Sequence, residues 1–165
     1  MSALLDTPNR GSSVRATSRC LGRQVDMKFD VEDSCLGFVR HIVREHLRWW
    51  GVGEEAIGDL LVAINELLTN VLQHTQPDAN GARKTELLVQ QVPGGVTAVV
   101  RDHDSDTPKR VVRPALGESG RGLAVVRGLV DETAVSRTET GKDVWVFVVD
   151  PASPVPPHWH ARGER

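Results

Sequence analysis

Residues 66–75 read ELLTNVLQHT. They close a longer run, starting near Glu54, in which Ile57, Leu60, Leu61, Ile64, Leu67, Leu68, Val71 and Leu72 recur at helical spacing. Against that apolar stripe Glu66, Asn70 and His74 fall every four residues, so they stand one above the other, about 5–6 Å apart between neighbours. A carboxylate, an amide and an imidazole in one column can act on a shared ligand. The same column also suits the polar edge of an ordinary amphipathic helix, so its meaning depends on the rest of the chain. The helix stops at TQPDANG, where Pro77 and Gly81 break the pattern.

Working outward, QVDMKFD (24–30) alternates as a short strand, and residues 31–50 place Cys35, Phe38, Val39, Ile42 and Leu47 at helical spacing before GVG ends the run. Downstream, TELLVQQV, PGG and VTAVVRD read as a hairpin whose turn needs the φ freedom of glycine. SGRGLAVVRGLVDE opens an apolar helix with glycines, and TAVSRTE, TG and KDVWVFVV make two further strands around a tight turn. Four or five strands and three helices, with several strands joined by hairpins, predict an α+β sandwich rather than a doubly wound parallel sheet. Residues 1–22, rich in Ser, Thr, Arg, Gly and Pro, read as a mobile leader; 23–150 form the folded unit; the proline-rich 151–165 read as a mobile tail.

The totals narrow the function. A chain of 165 residues fits one domain of about 100–200 residues. A net charge of −2 and a pI near 6.3 provide no global basic field to gather a polyanion, which argues against DNA or RNA as the direct partner. Cys20 and Cys35 have no paired spacing and no signal peptide precedes them, so the expectation is a cytoplasmic protein with reduced, inert thiols. No apolar run approaches the ~20 residues needed to span a bilayer.

Two further elements carry chemistry. Asp102 ends the apolar strand VTAVVRD, where an ionised carboxylate could accept a hydrogen bond from an exocyclic amino group, worth about 1.5–3 kcal/mol; it could equally cap its own turn. GESGRGLAVV (117–126) leads glycines into a helix start, and backbone amides there can hold phosphate, with Arg121 adding charge. Neither the P-loop spacing nor the dinucleotide fingerprint is present. His103 with Asp104 and Asp106 suggests a metal only weakly. Lys109, Arg110 and Arg113 form a basic stretch that could be a solvated loop or contact phosphate. Of Trp49 and Trp50, at least one is expected in the core, and an exposed one could anchor a protein. HWH, at 158–160, is assigned no function.

In their order along the chain, these segments resemble the Bergerat-fold ATP-binding domain of the gyrase, heat-shock chaperone and histidine-kinase superfamily. ELLTNVLQHT, GRGLAVVRGLVDE and GKDVWVFV are similar to the small stand-alone members, the anti-sigma factor serine/threonine kinases of partner-switching systems, over residues 25–150. The resemblance implies a two-layer α/β sandwich: a mixed, mostly antiparallel sheet with three helices on one face. It implies ATP and Mg²⁺ as cofactors, with Asn70 holding the metal through the nucleotide phosphates, a role that suits a small octahedral cation keeping several waters. Glu66 matches the base that receives the substrate hydroxyl proton, and Asp102 the adenine-reading aspartate. Gly120, Arg121, Gly122 and Leu123 match the second glycine box around the phosphates, and His74 a structural histidine. Two departures stand out. DHDSD occupies the place of an Asp-x-Gly-x-Gly box, and the threonine often found near the adenine on the last strand is read as replaced by Asp143.

The function this implies is an ATP-dependent protein serine/threonine kinase that sequesters a sigma factor and phosphorylates an antagonist protein, with homodimerisation expected by resemblance alone. The rival is a catalytically inactive anti-sigma or scaffold module with the same fold, suggested by the missing glycines. A sensor histidine kinase fragment fits less well, because no helical segment offers a phosphoacceptor histidine on a dimerisation hairpin.

Overall fold

The computed structural model describes residues 16–103 and 120–153. Its elements in chain order are β1 (Ala16–Cys20), β2 (Gln24–Asp30), α1 (Asp33–Trp49), α2 (Glu54–His74), β3 (Lys84–Val92), β4 (Gly95–Asp102), α3 (Gly120–Leu129), β5 (Glu132–Arg137) and β6 (Lys142–Val149). The strands form one six-stranded sheet in the order β1-β2-β3-β4-β6-β5. Every pairing among the described residues is antiparallel, in keeping with the mostly antiparallel sheet expected. Hairpins or short connections can join such strands, whereas a parallel pair would need a long crossover.

Side-chain alternation divides the sheet into two faces. Val25, Met27, Phe29, Leu87, Val89, Val96, Ala98, Val100, Val144, Val146 and Val148 are buried on one face and share a single core with the helices. Helix α2 supplies the centre, with Leu60, Ala63 and Ile64 fully buried, and it lies against β4 and β6 while α1 and α3 pack on it. At about 1.5–3 kcal/mol for each fully buried large apolar side chain, this face holds the helix in place far more strongly than helix propensity does. The hairpin turn takes Gly94 at φ 82°, and a Cβ on Gly95 would meet the Phe147 ring at 2.6 Å, so both glycines are required where PGG was read as a turn.

Two boundaries differ from the sequence reading. Residues 16–20, assigned to the leader, form the edge strand β1 along β2. Residues 1–15 lie outside the described residues. At the other end, Pro151–Ser153 belong to the fold. The buried Asp150 carboxylate accepts from the Gly53 N–H (3.3 Å), the Ala152 N–H (3.1 Å) and the Ser153 hydroxyl (2.8 Å), tying the chain end to the start of α2. A carboxylate at a helix N-terminus also suits the helix dipole. Residues 154–165, including HWH, lie outside the described residues.

Trp50 is 5% exposed and Trp49 76%, as the sequence anticipated for one of the pair. Both cysteines are free. Burial pushes the Cys35 thiol up, which keeps it protonated and unreactive. Among the described residues no helix is long and apolar enough to cross a membrane, and no cluster of metal-ligating side chains occurs.

Candidate functional site

Strand β4 is central, and its last residue, Asp102, sits opposite Lys142, the first residue of β6. That strand end meets the C-terminal half of α2, and a cavity of about 320 Å³ opens between them. Leu67 and Val71 of α2 face Val100, Val135 and Val144 of the sheet across it. Four polar side chains join these walls: Asn70, His74, Asp102 and Lys142. Two members of the α2 column, Asn70 and His74, therefore share the cavity with the strand-end carboxylate. Glu66 stands one turn before Asn70, half-buried, and does not line the cavity.

Asp102 is the buried group of the site, at 3% exposure. Its Oδ1 accepts the Lys142 backbone N–H at 3.0 Å, and its Oδ2 lies 3.5 Å from the Lys142 ammonium. Burying a carboxylate is costly unless donors and an opposite charge reach it, and Lys142 supplies both. Gly141 permits this approach: a Cβ there would lie 2.7 Å from Asp102 Oδ1 and overlap the Asp102 carbonyl. The TG turn read between the last two strands is thus fixed by the carboxylate beneath it.

Asp143 is not beside Asp102. It points to the opposite face of the sheet, where Arg101 Nε and Nη2 donate to its two carboxylate oxygens, each at 2.7 Å. These hydrogen bonds hold the Asp143 carboxyl below the usual carboxylate range. The residue on the pocket face is Lys142, in phase with the buried Val144, Val146 and Val148. Period-2 alternation in KDVWVFVV was the signal that could have found it.

Among the described residues nothing hydrogen-bonds the side chains of Glu66, Asn70 or His74. Among the described residues the Asn70 amide oxygen on the cavity wall has no partner. Helix α3 packs on α2, and the residues before Gly120 lie outside the described residues. The side chains of Arg121 and Leu123 lie outside the described residues, as do the DHDSD segment from Asp104 on and the basic residues Lys109, Arg110 and Arg113. His103 lies 3.4 Å from Glu86 Oε1.

A larger hollow, about 510 Å³, lies between the α2 N-terminus and the end of β6. Glu54, Glu55, Asp59, Asp131 and Asp150 line it. So many carboxylates repel an anionic ligand, whereas the smaller cavity pairs apolar walls with one acceptor and one cation, as small-molecule sites do.

The match to the family described as histidine kinase-like ATPase domain spans residues 29–148, and the chain belongs to that family. Among solved structures it is similar to the RsbU and RsbW domains of Rv1364c from Mycobacterium tuberculosis, at 22% identity and a TM-score of 0.59, over 81% of this chain. The match covers 34% of that protein, so this chain corresponds to about a third of its length. The histidine kinase domain of a blue-light activated histidine kinase from Erythrobacter litoralis aligns at 24% identity and a TM-score of 0.47, covering 70% of this chain and 59% of that one. No curated protein matches. The structural likeness shows the fold, an α+β domain with three helices against an antiparallel sheet.

Proposed function

We propose that the chain is an ATP-dependent protein serine/threonine kinase of anti-sigma factor type, which sequesters a sigma factor and phosphorylates an antagonist protein. One observation carries the nucleotide part: a buried carboxylate, Asp102, at the floor of an apolar cavity whose wall also carries Asn70. Asp102 would accept from the adenine amino group, and Leu67, Val71, Val100 and Val144 would hold the base between apolar surfaces. Asn70 offers the neutral oxygen that Mg²⁺ on the phosphates calls for. The metal, when bound, would neutralise charge on the phosphates during transfer.

Glu66 suits the base role because it lies one helical turn from Asn70 and is partly open to solvent, where a substrate hydroxyl can reach it. The glycine box Gly120, Arg121, Gly122 and Leu123 would meet the phosphates through the backbone N–H groups that a helix start can offer an anion. The partner assignment rests on the motif resemblance, and the likeness to the RsbU and RsbW domains of Rv1364c is consistent with it. The absent glycines in DHDSD favour a second reading, a non-catalytic anti-sigma or scaffold module.

Phosphate transfer separates the two. With labelled ATP and Mg²⁺, the kinase reading predicts label on a serine or threonine of a candidate antagonist, and a loss of at least about a hundredfold in Glu66→Ala, the low end for removing a general base. Transfer unaffected by Glu66→Ala would remove the assigned base. Nucleotide binding without transfer to any antagonist would leave the scaffold reading.

A further inference from the structure

Among the described residues, Lys142 is the one charged or polar side chain lining this cavity that has no role in the sequence reading. Its backbone N–H fixes Asp102 Oδ1 at 3.0 Å and its ammonium stands 3.5 Å from Oδ2. The lysine side chain is 49% exposed and that of Asp102 4%, so the carboxylate forms the floor and the cation the rim of the same polar spot. Ionised carboxylates only accept hydrogen bonds, and an ammonium only donates. Side by side, the two present an acceptor next to a donor, with no hydroxyl that could rotate to serve as either.

A 6-aminopurine carries the complementary edge: an amino donor flanked by ring nitrogens that accept. A 6-oxopurine turns an acceptor oxygen towards the carboxylate, so that contact fails; on the N1 side its ring N–H also opposes the ammonium, whereas on the other side N7 still accepts and only the carboxylate discriminates. We propose that Lys142 is a base-reading residue, donating from its ammonium to the ring nitrogen beside the adenine amino group while Asp102 accepts from that amino group. The inference rests on the nucleotide reading of the cavity and adds to it the residue that makes the base choice stricter. Lys142 also balances the Asp102 charge before the base arrives, so the carboxylate keeps a partner in both states.

Calorimetric titration of the full chain with ADP, 1-deaza-ADP and 7-deaza-ADP, each with Mg²⁺, tests this. Each deaza analogue keeps the amino group and replaces one flanking nitrogen by C–H. Wild type should bind one of the two about tenfold more weakly than ADP, the loss of a hydrogen bond to a charged donor. Lys142→Met should bind ADP and that analogue equally, and Lys142→Arg should restore the difference. A merely structural lysine would shift all three ligands together.

The proposal is overturned if wild type binds both analogues as tightly as ADP, or if Lys142→Met keeps the wild-type discrimination. It is overturned equally if Lys142→Met binds ADP more tightly than wild type, which would make the ammonium a competitor for Asp102. ADP binding without analogue discrimination removes the Lys142 role and leaves the nucleotide reading intact. No binding of any adenine nucleotide removes both.

Discussion

At the pocket floor, Asp102 and Gly141 illustrate how one contact governs a site. The carboxylate is reached by the Lys142 N–H only because residue 141 has no side chain. Gly141→Ala should push the β5–β6 turn off Asp102 and weaken ADP binding at least tenfold, with a modest fall in melting temperature; a titration indistinguishable from wild type would show that the turn does not shape the pocket. Asp102 was legible because a carboxylate closes an otherwise apolar strand. Lys142 was overlooked and Asp143 misplaced because sequence neighbours were treated as spatial neighbours. In a strand they point to opposite faces, and Asp143 lies with Arg101 on the far side.

Among the elements, α2 was the most legible, since nine buried residues recur along it at helical spacing and the polar column follows from the same periodicity. Ile64 is fully buried at its centre. Ile64→Ala should cost about 2–5 kcal/mol in denaturant unfolding, through lost transfer energy and a cavity; a cost under about 1 kcal/mol would contradict the packing. Strand β1 escaped notice for the opposite reason. ATSRC has little apolar content, and Thr17–Cys20 are exposed, so its place comes from the hydrogen-bond ladder to β2 rather than from a buried face. Edge strands of this kind open easily. Amide exchange in β1 should therefore be much faster than in the central β4, and equal protection in both would be incompatible with the strand order.

On the scale of the whole molecule, the helix-free face of the sheet is organised by charge. Lys28, Glu86, Arg101 and Asp143 are successive cross-strand partners over β2, β3, β4 and β6. The Arg101 hydrogen bonds hold the Asp143 carboxyl below the ordinary carboxylate range. Burial acts to raise the Glu86 pKa, but Lys28, His103 and Arg101 outweigh it and bring it below its ordinary value. Both carboxyls have lower folded than unfolded values, so the ladder stabilises the protein above those unfolded values and its contribution is lost as pH falls through the depressed ones. Asp143→Asn should flatten this acid limb in a pH series of melting curves, with ADP binding preserved because the residue faces away from the cavity. None of this was legible in the sequence, because strand register decides which charges meet and the composition records only their sum.

The nucleotide pocket itself is tested most directly by calorimetric titration of wild type and Asp102→Asn with Mg²⁺–ADP, folding being monitored in parallel. The account predicts saturable binding to wild type and a loss of at least tenfold in a variant that remains folded. Binding of equal strength to both proteins, or none to wild type at millimolar nucleotide, would contradict it.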